Sequence, residues 1–192
     1  MTTLLGLGAF ALIANMDALV VKRLFDPDVA GNYGPVVTLG KINLFVPLAM
    51  GLVLFPKVTQ RQALGQNPQP ILFLSLAVTI LPGLIVTALY FLYPGLIVET
   101  IFTDSYRNPG QLLGLVGLAT TLFAGVNIWL NYALSLDRAT FVYVLLGLVI
   151  LMFLGMVITG SALINIGWTM VATGLLANLA GLILLAPIRP TS

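Results

Sequence analysis

The chain contains no cysteine and no histidine among its 192 residues. Without thiols it has no disulfide framework, no cysteine nucleophile and no cysteine metal site. Without imidazole it lacks a common zinc ligand and the commonest general base. Its apolar segments also contain no cluster of acids at metal-ligand spacing. An enzyme is therefore the least expected class, and neither a metal nor another cofactor is predicted.

Charge is also scarce, because only 7% of the residues are charged and 59% are hydrophobic. A soluble domain has about 25% charged residues. The mean hydropathy of +1.09 agrees with this contrast and excludes a water-soluble globule. The net charge of +2 is too small for a nucleic-acid footprint, so no nucleic acid is predicted as a partner. The partner that the composition predicts is membrane lipid.

The apolar residues fall into segments of membrane-crossing length, each of about 20 residues for a hydrocarbon core of about 30 Å. The predicted spans are 4–21, 34–55, 71–93, 111–134, 141–159 and 166–186. The fold class predicted is an all-α integral membrane protein, with residues 1–192 forming one bundle of six transmembrane helices. The segment from Glu99 to Gly110 is predicted to lie along the interface, because residues 95–102 are too short to cross again.

The connections on either side of the second span carry turn signals. Asp26 followed by Pro27 has the order of a helix start, and Gly31 a few residues later is a stop signal. This pattern predicts about one turn of interfacial helix before the second span. At the other end, Pro56 is predicted to close the span, with residues 58–70 as a polar linker in water.

An acid and a lysine lie inside predicted spans, where each ionisable group costs about 2.5–3.5 kcal/mol on insertion scales. Asp17 is five residues before Lys22, and Lys41 is eight residues after Tyr33, which marks the start of the second span. Both therefore lie about 8–12 Å into the membrane at about 1.5 Å per residue. We predict an ion pair between adjacent antiparallel helices. The alternatives are a pair that only fixes helix register, or a lysine that reaches the boundary on its long stem.

Asn15 is a second polar residue near Asp17. Two positions along a helix correspond to about 200° around its axis. The two side chains are therefore expected to face different ways unless the helix is irregular there, and one of them is expected to serve packing.

A polar or small stripe follows the fourth span at helical spacing. Its members are Thr120, Ala124, Asn127, Asn131 and Ser135. The pattern predicts a face turned toward other helices or toward a wet cavity, and interhelical hydrogen bonding is the favoured role.

Small residues and prolines mark other spans. Gly167, Gly174 and Gly181 lie seven residues apart in the sixth span, which predicts a seam of close helix packing. Pro47 and Pro82 each remove a backbone donor near mid-span. They predict kinks and are candidate hinges.

Loop charges predict the orientation. Six spans place both termini on one side with Lys57, Arg61, Arg138 and Arg189, against Lys22, Arg23 and Arg107 on the other side. The positive-inside rule therefore places both termini in the cytoplasm.

Several short motifs together resemble the seventh and eighth helices of the oligosaccharide flippases, the polysaccharide biosynthesis transporters of the MOP exporter superfamily. The matching residues are Asn15-Met16-Asp17, Lys22-Arg23, Ala30-Gly31-Asn32-Tyr33, Gly40-Lys41 and Leu54-Phe55-Pro56. Further along, Ile101-Phe102-Thr103-Asp104-Ser105-Tyr106 is similar to the short connector after the ninth helix, with Thr103 where glycine is commoner.

The resemblance implies a half transporter. Such proteins have two six-helix bundles related by pseudo-symmetry, with the substrate between them and alternating access by rocking. This chain corresponds to the second bundle, so its expected partner is a missing N-terminal six-helix half or a second copy. The implied substrate is an undecaprenyl-diphosphate-linked oligosaccharide, moved across the bacterial cytoplasmic membrane.

The resemblance also suggests roles for individual residues. Lys41, with Lys22 and Arg23, would attract the diphosphate, and Asp17 would tune Lys41 by pairing with it. Asn127 and Asn131 would hydrogen-bond sugar hydroxyls. Two alternatives stay open: half of a cation-coupled multidrug antiporter, with an acid-lined pocket, and a non-transporting membrane fragment or scaffold, in which both charges tolerate substitution.

Overall fold

The computed structural model describes residues 1–102, 106 and 108–186, apart from the side chains of residues 46–48. The described chain is helical and has no strand, which confirms the all-α prediction. The helices are α1 (Thr2–Ile13), α2 (Met16–Leu24), α3 (Pro27–Gly40), α4 (Phe45–Ala63), α5 (Gln69–Leu92), α6 (Pro94–Ile101), α7 (Gln111–Ser135), α8 (Ala139–Thr159) and α9 (Leu163–Leu185). The loop charges Asp104, Arg107 and Arg189 lie outside the described residues.

Five helical stretches in the described chain are long and apolar enough to cross a membrane. Counted together, α1 and α2 form a sixth candidate span, although a short break bends them by 46°. The predicted first span is therefore not one straight helix. The segment after the third span is α6, which has eight residues.

The second candidate span begins earlier than predicted. The prediction of a single interfacial turn stopped by Gly31 is wrong, because α3 runs from Pro27 through this glycine to Gly40. A glycine inside a helix costs about 1 kcal/mol relative to alanine. Here Tyr33, Val36 and Leu39 are almost fully buried, and α3 packs against α2 and α7. Burial of this face offsets the local stop signal.

The same span also ends later than predicted. α4 continues through Pro56 to Ala63, so the prediction that Pro56 closes the helix is wrong. Leu54 and Val58, one turn apart, are buried on the inner side, whereas Pro56 is exposed. Packing on one face therefore holds the helix across the proline, and the linker to α5 shrinks to residues 64–68.

The other proline positions lie within helices as well. α5 runs continuously through Pro82, whose side chain is exposed while the neighbouring Gly83 packs against Thr121. Pro47 falls in the first turn of α4, and its side chain lies outside the described part of the chain. A short 3-10 turn, Lys41–Leu44, joins α3 to α4 just before it.

α7 is the central helix of the bundle. Most of its residues are buried, and it contacts α1, α3, α4, α5, α6, α8 and α9. The predicted glycine seam of α9 faces it. Added Cβ atoms at Gly167, Gly174 and Gly181 would meet Leu115, Leu122 and Trp129, which are also seven residues apart. The seam prediction is confirmed, and the matching order makes α7 and α9 parallel.

Two contacts identify the ends of the bundle. The Gln69 side-chain amide donates a hydrogen bond to the Ala186 carbonyl, so the start of α5 lies beside the end of α9. At the opposite end, a Cβ at Gly160 would come within 3.1 Å of Leu24. We call the first the α4–α5 end, which contains residues 64–68, 136–138 and 186. We call the second the α2–α3 end, which contains residues 25–26 and 160–162.

The seam predicts a position-dependent effect of adding one methyl group. A Cβ at Gly174 would lie 2.7 Å from the Leu122 Cβ, which cannot move without its backbone. Gly174→Ala should therefore lower the free energy of unfolding in detergent by about 1–3 kcal/mol. Gly147→Ala is the matched control, because no atom lies within 4 Å of its added Cβ. Equal melting temperatures for the two variants would contradict the seam.

Candidate functional site

The site begins at the break between α1 and α2, which Asn15 creates and compensates. The Asn15 backbone N–H donates to the Leu12 carbonyl at 3.1 Å, and not to the Ala11 carbonyl as in a regular α-helix. The Asn15 side-chain amide donates to that Ala11 carbonyl instead, at 2.8 Å. The Asn15 side-chain amide thus takes the place of the Asn15 backbone N–H. As a result, the Ala11 and Leu12 carbonyls both keep a hydrogen-bond donor at the bend.

The break turns both polar residues of this stretch toward the following helices. The Asn15 Oδ1 accepts a hydrogen bond from Lys41 Nζ at 2.7 Å, and the Asp17 Oδ2 accepts one from the Tyr33 Oη at 2.9 Å. The expectation that Asn15 and Asp17 face different ways held only for a regular helix. The irregularity lets both contact the α3 segment and its 3-10 turn.

The structure does not bring Asp17 and Lys41 into an ion pair. No salt bridge joins them within the described residues, and each takes a neutral partner instead. The Tyr33 phenol is buried and reaches the carboxylate from inside the bundle, whereas Asn15 is exposed and meets the ammonium near its surface. The similar predicted depth of Asp17 and Lys41 in the membrane was therefore not enough to bring them into contact.

The Asp17 carboxylate is only half satisfied. Its side chain is 2% exposed, and its Oδ1 finds no hydrogen-bond donor in the described part of the chain. A buried acceptor left without a donor costs about 1–3 kcal/mol, and more when it is charged.

Lys41 and Asn43 lie on the same 3-10 turn and anchor it on two sides. Asn43 is buried, and its amide donates to the Gly117 carbonyl at 3.1 Å and to the Thr121 hydroxyl at 3.0 Å. Thr121 in turn lies 3.1 Å from the Thr87 hydroxyl of α5. The turn that carries Lys41 is thus fixed to α7 and α5. Sequence reasoning missed Asn43, although a polar residue two positions from a lysine inside an apolar segment was a usable signal.

Lys22 and Arg23 point to different sides of α2. Lys22 lines a groove of about 620 Å³ between α2 and α3, and Tyr33 lines the same groove. Arg23 lines an apolar groove of about 440 Å³ between α2 and α8, with Phe153. The two cations therefore line separate grooves in this structure.

Asn127 and Asn131 bond to each other. The Asn131 amide donates to the Asn127 backbone carbonyl at 2.8 Å and to its Oδ1 at 3.0 Å. Thr120 and Ser135 likewise donate to carbonyls of α7 itself. In the described residues these side chains bond within α7, and the favoured role of the stripe, interhelical hydrogen bonding, stays a prediction. Polar side chains one turn apart can satisfy each other and their own helix, which leaves little for a neighbour.

No group of three or more acids comes together as a metal site would require, in the residues that the structure describes. No protein-family model, no curated protein and no solved structure matches the chain. The resemblance to oligosaccharide flippases therefore rests on the residues quoted above.

The Tyr33–Asp17 hydrogen bond can be tested by a double-mutant comparison. Tyr33→Phe removes the side-chain hydrogen bond to a buried carboxylate and should lower the free energy of unfolding by about 1–3 kcal/mol. In an Asp17→Leu background the same change removes an unpaired hydroxyl and should cost almost nothing. Tyr143→Phe is the control, because Tyr143 is 60% exposed. Thermal unfolding in detergent measures all four; an equal loss in both backgrounds would rule the bond out.

Proposed function

We propose that the chain is one half of a transporter that moves a lipid-linked oligosaccharide diphosphate across a membrane. The observation that carries this proposal is the state of Lys41. Lys41 is half-buried within a candidate span, its ammonium is held by one neutral hydrogen bond, and no acid pairs with it in the described chain. A lysine kept in an apolar segment without a counter-ion is suited to a transient anion from outside the bundle.

The geometry around Lys41 supports binding of a phosphate group. A lysine ammonium has three donors, and Asn15 takes one of them, which leaves two for phosphate oxygens. Asn43 holds the same turn from the other side, so the ammonium is presented by a fixed backbone. Lysine acts here as a point charge, which fits a diphosphate that must bind and leave again.

The proposal depends less on the other predicted site residues than on Lys41. Asp17 would influence Lys41 only through space, because Tyr33 occupies its bonded oxygen. Lys22, at the α2–α3 end, would attract the substrate along the groove that it shares with Tyr33. Asn127 and Asn131 would have to open their mutual hydrogen bond before binding a sugar, so the proposal no longer depends on them.

Alternating access needs a second bundle and a place to bend. The chain would be completed by an N-terminal six-helix half or by a second copy, in the bacterial cytoplasmic membrane with both termini in the cytoplasm. The 3-10 turn Lys41–Leu44 is a hinge candidate beside Pro82, because a 3-10 stretch in the middle of a helix often marks a hinge. Bending there would require the hydrogen bonds from Asn43 to α7 to break. Pro47 lies three residues after the end of this turn.

A cation-coupled antiporter half is the second candidate. It is favoured by one observation, the buried Asp17 oxygen without a donor, which could receive a proton or a substrate cation. In that reading Asp17 carries the function and Lys41 does not. A non-transporting scaffold predicts that neither residue matters for binding.

Ligand binding by single variants separates these candidates. The full chain in detergent is titrated with an undecaprenyl-diphosphate-linked oligosaccharide and followed by native mass spectrometry. Lys41→Gln should weaken binding about tenfold or more, because a hydrogen bond to a charged group is worth about 1.5–3 kcal/mol. Lys41→Arg, which keeps the charge, should restore part of the affinity.

Arg138→Gln is the matched control, since it removes an exposed cation that lines none of the grooves around Lys22, Arg23 or Lys57. Unchanged binding by Lys41→Gln would sink the flippase proposal. Binding of a lipophilic cation that is lost only in Asp17→Asn would favour the antiporter. Indifference to both substitutions would favour the scaffold.

A further inference from the structure

A groove of about 420 Å³ lies between α4 and α5, at the α4–α5 end of the bundle. It is formed by one stripe from each helix. The lining residues are Met50, Val53, Leu54, Lys57, Gln60 and Arg61 of α4 with Ile71, Leu74 and Ser75 of α5. In each helix these positions recur at three- and four-residue spacing, so they belong to one face.

The groove changes from polar to apolar along its length. Lys57 and Arg61 are one helical turn apart near the end of α4. Met50 lies seven residues before Lys57, which is about 10 Å deeper along the helix. The apolar part is open, because Leu74 is 63% exposed and Val53 is 48% exposed. A ligand for this groove must therefore be anionic at one end and apolar over the rest.

Arg61 is held in position over the groove. Its side chain is half-buried, and its Nη1 donates to the Asn67 carbonyl at 3.2 Å. The Asn67 side chain in turn accepts a hydrogen bond from the Gln69 backbone N–H at 2.9 Å, which closes the loop between the helices. The guanidinium is therefore preorganised before any ligand arrives, and its remaining N–H groups are available.

These two cations have no acidic residue near them in the sequence of α4 and α5. The sequence contains no aspartate or glutamate between Asp28 and Glu99. No salt bridge involves Lys57 or Arg61 within the described ranges of the chain. Two cations one turn apart repel each other, so an external anion between them would be stabilising.

We propose that this groove binds an anionic phospholipid. The phosphate lies between Lys57 and Arg61, and an acyl chain follows the apolar stripe past Val53 and Leu74. A free phosphate would leave that stripe uncovered, whereas a zwitterionic lipid would bring its own cation toward the two basic residues. Basic pockets between membrane helices are known to recognise anionic headgroups. The site lies at the opposite end from Lys22 and does not depend on the transport proposal.

The test measures lipid binding to the delipidated full chain in detergent by native mass spectrometry. Dioleoyl phosphatidylglycerol should bind more tightly than dioleoyl phosphatidylcholine. Lys57→Gln and Arg61→Gln should each weaken phosphatidylglycerol binding about fivefold, and the double variant about 25-fold. Arg138→Gln is the matched control, because it removes a cation from the same end outside the groove and should change affinity less than twofold.

A steric variant separates the groove from general charge attraction. Leu74→Trp keeps every charge but fills the groove, so it should also weaken phosphatidylglycerol binding. Ile150→Trp adds the same bulk to an exposed position of α8 and should have no effect. Equal affinity for the two lipids in the unaltered chain, or equal losses in Arg138→Gln and Arg61→Gln, would overturn the proposal. The lipid comparison and Leu74→Trp decide the matter even if the double variant does not fold.

Discussion

The hydrogen bond from the Asn15 side chain to the Ala11 carbonyl is the interaction on which the candidate site depends. In an apolar surrounding, an unsatisfied backbone carbonyl costs several kcal/mol, so helices there are rarely broken without a substitute donor. Asn15 supplies that donor, and its own Oδ1 is then directed to Lys41. A single amide thus permits the bend and holds the lysine. Asp17 follows the bend and meets Tyr33 instead of the cation.

The 3-10 turn Lys41–Leu44 is the second irregularity, and it works together with the first. Lys41 faces the broken helix on one side, and Asn43 bonds to α7 on the other. The position of the central helix α7 therefore determines where the turn, and with it Lys41, is held. A half-buried lysine with donors to spare, carried on such a turn, is the physical basis of the transport proposal.

Much of the architecture could be predicted from the sequence, because long apolar segments and a seven-residue glycine period depend on composition and spacing alone. Helix boundaries could not, since burial of Tyr33 and Val58 outweighed the local signals of Gly31 and Pro56. The hydrogen-bond partners of Asp17 and Lys41 could not be predicted either. The predicted depth in the membrane places Asp17 near Lys41. The break at Asn15, however, directs Asp17 to Tyr33 and Lys41 to Asn15, so each of them bonds to a neutral group. The partners of Asn43 could not be predicted, because Gly117 and Thr121 lie more than 70 residues away in the sequence.

The glycine seam between α7 and α9 has a mechanical consequence. Helices whose backbones approach this closely cannot slide or tilt without collision, so α7 and α9 behave as one stiff unit. Both backbone irregularities, at residues 14–15 and 41–44, lie in the first quarter of the chain. The helices near the N-terminus are therefore expected to bend more easily than the α7–α9 pair. A rearrangement that preserves the seam is absorbed by the other helices, which include those that carry Asp17 and Lys41.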